Sequence, residues 1–141
     1  VAKKVAATFR NGMKPLLCVG ENAKERTEGK TARKISMQIN NAFKGLQAEQ
    51  AKEVVVAYEP LWAIGSGQAA TAKDAQEVCH LIREKLTKMF GEKISRQVRI
   101  LYGGSVNQNN AGTFKISGID GVLVGGASLN AQAFSSIVRS F

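Results

Sequence analysis

Four short apolar runs punctuate an otherwise mixed chain: Pro15-Leu16-Leu17-Cys18-Val19-Gly20, Val54-Val55-Val56-Ala57-Tyr58, Val98-Arg99-Ile100-Leu101-Tyr102 and Gly121-Val122-Leu123-Val124-Gly125. Most are continuous rather than alternating, the pattern of parallel strands covered on both faces. Between and after them the apolar spacing becomes helical, over roughly 30–46, 71–90 and 130–139, and a short helical turn is predicted over 107–116. Residues 1–10 read as the end of another helix, stopped by Asn11-Gly12. Thr71-Ala72-Lys73-Asp74 has the form of a capping box, and Val78, Leu81, Ile82 and Leu86 behind it make an apolar stripe. The predicted order is α-βα-βα-βα-βα, a run of right-handed crossover units. No low-complexity linker or shift in composition interrupts it, so 1–141 reads as a single partial domain. Such a run fits a doubly wound sheet or part of an eight-stranded barrel.

Length sharpens this picture. The 141 residues are enough for one core, but a full α/β barrel takes about 250. The chain opens on Val1 in mid-helix pattern, without Met, and a piece of something longer is expected. No apolar run approaches the roughly 18 residues of a membrane span, and Val1-Ala2-Lys3-Lys4 has no signal-peptide character. A cytoplasmic location with no membrane partner is the expectation. Cys18 and Cys79 have no metal-ligand spacing with the single His, so no metal is expected, and two buried thiols in a reducing compartment are. A net charge of +9 raises nucleic-acid binding as a class. However, Lys24, Arg26, Lys30, Arg33 and Lys34 spread along one predicted helix, and Lys85, Lys88 and Lys93 along another. Few aromatics interleave with them, so they read as solvated helix faces and no nucleic-acid partner is expected. A basic balance would also draw in a small anionic substrate.

The candidate chemistry lies where the apolar runs end. The first leads to Gly20-Glu21, the second to Glu59, the third to Gly103-Gly104-Ser105 and the fourth to Gly125-Gly126-Ala127-Ser128. Glu59 is a carboxylate at a strand exit, followed by Pro60 and a loop-like segment carrying Trp62, Gly65 and Gly67. Proton abstraction next to a carbonyl requires such an acid under a loop able to close. Each Gly pair on its own reads as a tight turn. Two such pairs after consecutive strands, one of them followed by Ser105, suit a phosphate cradle, because glycine lets backbone N–H groups approach an anion.

The eleven residues from Ala57 to Gly67 resemble the catalytic glutamate and closing loop of the triosephosphate isomerase family. Tyr102-Gly103-Gly104-Ser105-Val106 and the stretch from Gly121 to Leu129 resemble its seventh- and eighth-strand loops, and Cys18-Val19-Gly20-Glu21 resembles the end of its fifth strand. The motifs come in the family's order and cover essentially all of the chain. The resemblance implies an α/β fold, the TIM (β/α)8 barrel, present here as its C-terminal half: the end of helix four, then four βα units. It implies an isomerase interconverting dihydroxyacetone phosphate and glyceraldehyde 3-phosphate in glycolysis and gluconeogenesis, with no cofactor and no metal. Its expected partners are a small phosphorylated triose and the N-terminal half of the same barrel. The intact enzyme is expected to be a homodimer whose contact comes mainly from that other half.

Carried over residue by residue, Glu59 is the base and Gly65 offers its N–H to the substrate phosphate. Ser105, Gly125 and Gly126 hold the same phosphate from the other side. Tyr102 and Ser105 anchor the closed loop, and Trp62 swings at its first hinge with Glu21 as indole partner. The departures are Leu61 and Ser66, where Val and Thr are usual, and Gln68-Ala69 in place of Lys-Thr or Lys-Ser, which bears on loop kinetics. The family's electrophilic histidine, substrate-binding lysine and neighbouring asparagine come from the first four strands and have no counterpart here. His80, between Cys79 and Leu81, reads as a plain helix-face residue. On these grounds the 141 residues alone are expected to be inactive, and a non-catalytic phosphate-binding half-barrel or interaction module is the alternative reading.

Overall fold

The computed structural model describes residues 1–65 and 69–141. Helix α1 (Ala2–Arg10) ends at Asn11, and Gly12, at φ 69°, turns the chain into β1 (Leu16–Val19). Then come α2 (Ala23–Thr27), α3 (Thr31–Phe43), α4 (Ala48–Ala51) and β2 (Val55–Tyr58). A 3-10 turn over Leu61–Ala63 precedes α5 (Ala72–Phe90), α6 (Glu92–Ser95) and β3 (Arg99–Tyr102). The chain closes with a 3-10 turn at Ala111–Phe114, β4 (Gly121–Val122), a second such turn at Gly126–Leu129 and α7 (Ala131–Ser140).

The strands are all parallel and lie side by side in chain order, β1-β2-β3-β4. Register aligns Leu16, Val55 and Arg99 in one row and Cys18, Ala57, Leu101 and Gly121 in another. The alternate residues Leu17, Val19, Val56, Tyr58, Ile100 and Tyr102 point to the helices and are buried. They join Ile35, Ile39 and Phe43 of α3 and Val78, Ile82 and Leu86 of α5 in one core. Each fully buried aliphatic side chain there contributes about 1.5–3 kcal/mol relative to exposure.

The second face of the sheet departs from the sequence expectation. Helices cover one face only, and on the other Leu16 is 47% exposed while Cys18 and Arg99 are open to solvent. Of the two thiols expected to be buried, Cys79 is and Cys18 is not. The physical reason is the same for both differences: four strands give this face no opposing wall. The apolar residues of β1 and β2 are continuous in sequence because both faces are built for cover.

Several boundaries also move. Of the basic residues assigned to one helix, Lys24 and Arg26 lie on α2 and Arg33 and Lys34 on α3, with Gly29 at φ 66° and Lys30 between the two. Asn22 starts α2 with a full capping box, accepting the Glu25 N–H at 2.8 Å while Glu25 accepts its own at 3.0 Å. At α5 the box is half formed: Thr71 accepts the Asp74 N–H at 3.1 Å, but the Asp74 carboxylate takes the Thr71 hydroxyl at 2.6 Å. Only Gly121–Val122 of the fourth apolar run is strand, paired with Leu101 and Tyr102, and the Leu123 N–H makes one further bond to the Tyr102 carbonyl at 2.8 Å. The turn predicted over 107–116 is the short 3-10 turn at Ala111–Phe114. No helix among the described residues is long and apolar enough to cross a membrane.

Candidate active site

The site begins with the ladder running one residue beyond β2. The Glu59 N–H donates to the Val19 carbonyl at 2.7 Å, and the Gly103 N–H donates to the Tyr58 carbonyl at 2.9 Å. Glu59 is therefore held between β1 and β3 in strand alternation with Val55 and Ala57, and it faces the open side of the sheet. Pro60 then removes the next ladder donor, and the chain turns so that the Leu61 N–H meets the Glu21 carbonyl at 3.0 Å. Two glycines make this possible. A Cβ on Gly20 would lie 1.8 Å from the Glu59 carbonyl oxygen, and one on Gly103 would lie 2.8 Å from Glu59 Cγ.

Glu59 lines a cleft of about 510 Å³ with Gly65, Gly103, Ser105, Gly125 and Gly126, walled by Ile64, Val106, Leu123 and Val124. It is the cleft's one ionisable group among the described residues. A volume of this size accommodates a small molecule. The structure thus brings Glu59, Gly65, Ser105, Gly125 and Gly126 to one place from the ends of three strands, β2, β3 and β4. Glu21, Trp62 and Tyr102 do not line the cleft and belong to the residues around it.

That supporting layer is specific. Glu21 is fully buried, and its carboxylate accepts the Tyr58 hydroxyl at 3.1 Å and the Trp62 indole N–H at 3.0 Å. The Arg26 guanidinium lies 3.6 Å from the same carboxylate, stacks 4.6 Å over the Trp62 ring and pairs with Asp74 at 2.9 Å. Burial, then the Glu21 charge, pushes the Tyr58 hydroxyl far above its ordinary range, so it stays a donor. The Tyr102 hydroxyl accepts the Ala70 N–H at 2.8 Å, and its ring stacks on Phe114 at 4.1 Å. Ser105 adopts φ 45° and donates its hydroxyl to the Ala63 carbonyl at 2.5 Å. Asn110 steadies this left-handed residue by donating to its carbonyl at 3.0 Å.

Three contributors were not singled out for the site by the sequence. Arg26, read as a solvated helix-face residue, is instead drawn in by Trp62, Glu21 and Asp74. Tyr58 read only as the end of an apolar run. Cys18 lies in the row beside Ala57, and its thiol is pushed up to about 11 by loss of water and then by the Glu59 carboxylate. Arg26 and Asp74 are joined only by tertiary packing, which no local pattern encodes. His80 is exposed on α5 and does not line the cleft. Ser66 and Gln68, named above as departures, lie outside the described residues.

The profile described as triosephosphate isomerase matches residues 1–141. The chain belongs to the triosephosphate isomerase family. A triosephosphate isomerase of Acetivibrio thermocellus is 49% identical over 140 residues, which cover 99% of this chain and 56% of that relative. One of Saccharopolyspora erythraea is 49% identical over 138 residues, 97% of this chain and 53% of the relative. One of Carboxydothermus hydrogenoformans is 47% identical over 140 residues, 99% of this chain and 56% of the relative. The chain thus spans about half the length of the curated relatives it matches. Its parallel β1-β2-β3-β4 sheet with intervening helices is half of the triosephosphate isomerase (β/α)8 barrel. The cleft lies at the C-terminal ends of the strands, the face of such barrels that carries chemistry.

Proposed function

We propose that these residues form the C-terminal half of a triose-phosphate isomerase, a single partial domain acting in cytoplasmic glycolysis and gluconeogenesis. The observation that carries this reading is Glu59 at the exit of β2, as the one ionisable group in a cleft rimmed by Gly65, Ser105, Gly125 and Gly126. Glu59 takes a proton from the carbon next to the substrate carbonyl and returns it to the carbonyl carbon, while the hydroxyl proton passes to the former carbonyl oxygen, so that dihydroxyacetone phosphate and glyceraldehyde 3-phosphate interchange. The N–H groups of Gly65, Gly125 and Gly126 and the Ser105 hydroxyl bind the phosphate. Trp62 and Glu21 act at the first hinge of the loop, and Tyr102 and Ser105 hold the loop when it is closed. The proton transfer calls on no cofactor or metal. The group that polarises the carbonyl comes from the other four βα units, together with the substrate-binding lysine.

Those units are the partner that the open side of the sheet supports. Leu16, Cys18, Leu101 and Arg99 face it without an opposing wall, and β1 and β4 each pair on one side only. A homodimer of the intact enzyme is part of the same reading. The test joins the part of the Acetivibrio thermocellus relative that this chain does not span to residue Val1. A coupled assay should then show turnover of glyceraldehyde 3-phosphate, and Glu59→Gln should remove it. The 141 residues alone should be inactive, since loss of even one preorganised donor costs about 10²–10³ in rate. Binding of a triose-phosphate analogue without turnover in the joined protein would favour a phosphate-binding module instead.

A further inference from the structure

The Gln38 side-chain amide, on α3, pairs with both backbone groups of Gly20. Its Oε1 accepts the Gly20 N–H at 3.0 Å, and its Nε2 donates to the Gly20 carbonyl at 3.1 Å. No other side-chain amide among the described residues holds the N–H and the carbonyl of one residue. The Pro15 and Val19 carbonyls accept from the β2 side, so the alternation of β1 turns the groups of Gly20 away from β2. Gln38 supplies the partner that a flanking strand would otherwise provide.

Gly20 is the tightest point of the site. Its α-carbon packs so closely on the Glu59 carbonyl that a Cβ would fall 1.8 Å from the oxygen. On one side of it, Val19 receives the Glu59 N–H at 2.7 Å. On the other, Glu21 receives the Trp62 indole at 3.0 Å and, through its carbonyl, the Leu61 N–H at 3.0 Å. Rotation of the Gly20 peptide would therefore move the base and the hinge carboxylate together. We propose that Gln38 is a positioning residue for the proton transfer, fixing Gly20 and through it the backbone of Glu59 and the carboxylate of Glu21. This inference rests on the isomerase reading for its kinetic consequence and on geometry alone for its structural one.

The experiment uses the joined protein described above, its 141 residues labelled with ¹⁵N and ligated at Val1 to the unlabelled part of the Acetivibrio thermocellus relative. Trp62 is the chain's single tryptophan, so one indole cross-peak reports the bond to Glu21. Gln38→Leu should shift that cross-peak and lower kcat by about tenfold or more, with KM for glyceraldehyde 3-phosphate changed by less than about twofold. Gln38→Glu should regain activity and the parental cross-peak as pH falls through the titration of the introduced carboxyl. Its protonated form can again both accept from and donate to Gly20, and the parent should show no such gain. If Gln38→Leu fails to fold, the low-pH recovery of Gln38→Glu carries the test. An unshifted cross-peak and unchanged kcat in a folded Gln38→Leu protein, or no low-pH recovery in Gln38→Glu, would overturn the proposal. Absence of turnover in the joined parent would instead overturn the isomerase reading, and the cross-peak would still report whether Gln38 holds Glu21.

Discussion

The indole N–H of Trp62 donates to the buried carboxylate of Glu21 at 3.0 Å, tying the turn after β2 to the exit of β1. The two residues are far apart in sequence, and each closes its own strand-end motif. Their bond makes the neighbouring strand ends one mechanical unit, with Glu59 between them. Arg26 covers the pair from solvent by stacking on the indole at 4.6 Å.

Glu21 is fully buried and receives two hydroxyl or indole donors, with a guanidinium 3.6 Å away. Glu21→Ala leaves Tyr58, Trp62 and Arg26 without their acceptor, and removal of one partner from a buried charged network costs about 3–5 kcal/mol. Glu21→Gln keeps the shape and one acceptor oxygen and should cost about 1–3 kcal/mol. Urea unfolding followed by Trp62 fluorescence checks both values. Equal midpoints for the two variants would mean that the shape and acceptor oxygen that Gln retains contribute nothing, and that the loss lies in the charge alone.

Gly20 and Gly103 flank Glu59 and should fail in different ways. A Cβ at Gly20 meets backbone, 1.8 Å from the Glu59 carbonyl oxygen, so Gly20→Ala must displace a strand end. A Cβ at Gly103 meets side chain, 2.8 Å from Glu59 Cγ, which can rotate away. Gly20→Ala should therefore unfold at markedly lower urea. Gly103→Ala should stay near the parental midpoint but lose about 10²-fold in rate in the joined protein, because the carboxylate is misplaced. Thermal melts and the coupled assay together separate the two outcomes, and a Gly103→Ala protein with full activity would contradict the assignment of Glu59's room to that glycine.

The strands and long helices were legible because apolar continuity and helical spacing are local properties, visible in Val54-Val55-Val56 and in Val78, Ile82 and Leu86. Glu59 stood out through the segment that follows it, Pro60 and then Trp62 and Gly65, since a Glu at a strand exit is by itself ordinary. What escaped was set by distance in the chain. Arg26 reaches Asp74 and Trp62 only after α2 and the start of α5 pack together, so its charge looked like one more solvated face. Cys18 looked buried because its run is apolar throughout, yet the four strands put no wall opposite that face.

Asp74 links acid sensitivity to this packing. The Thr71 hydroxyl, and next the Arg26 guanidinium, hold its carboxyl below the ordinary value of 3.8. A carboxylate lowered on folding contributes stability above its unfolded value and loses that contribution as pH falls through the folded one. The parent should therefore exceed Asp74→Asn in unfolding midpoint at about pH 6, and the gap should close as pH falls below 3.8. Added salt should narrow the gap at the higher pH, because the pair is partly solvated. A gap that stayed constant across the acid range would mean that the Asn variant acts through packing and not through charge.

The relationship of Cys18 to Glu59 offers a probe of the proposed base that needs no substrate. Cys18 is exposed, yet its thiol is pushed up to about 11, first by partial loss of water and then by the hydrogen bond and charge of Glu59. Reaction with iodoacetamide requires the thiolate, and raising the pKa from an ordinary 9.0 leaves roughly a hundredfold less of it at about pH 8. The more basic thiolate is intrinsically more nucleophilic, which returns about a factor of ten, so the net rate should be about tenfold below that of a free thiol. Glu59→Gln removes the negative charge but leaves the burial, and the Cys18 rate should rise by roughly two- to fivefold. Cys79, buried and pushed up to about 12, should react only on unfolding and thus marks the folded state in the same experiment. Rates followed by mass spectrometry with both sites resolved would decide the point. A Glu59→Gln protein whose Cys18 rate is unchanged while Cys79 stays protected would show that the carboxylate does not reach the thiol, and that Glu59 points elsewhere in solution.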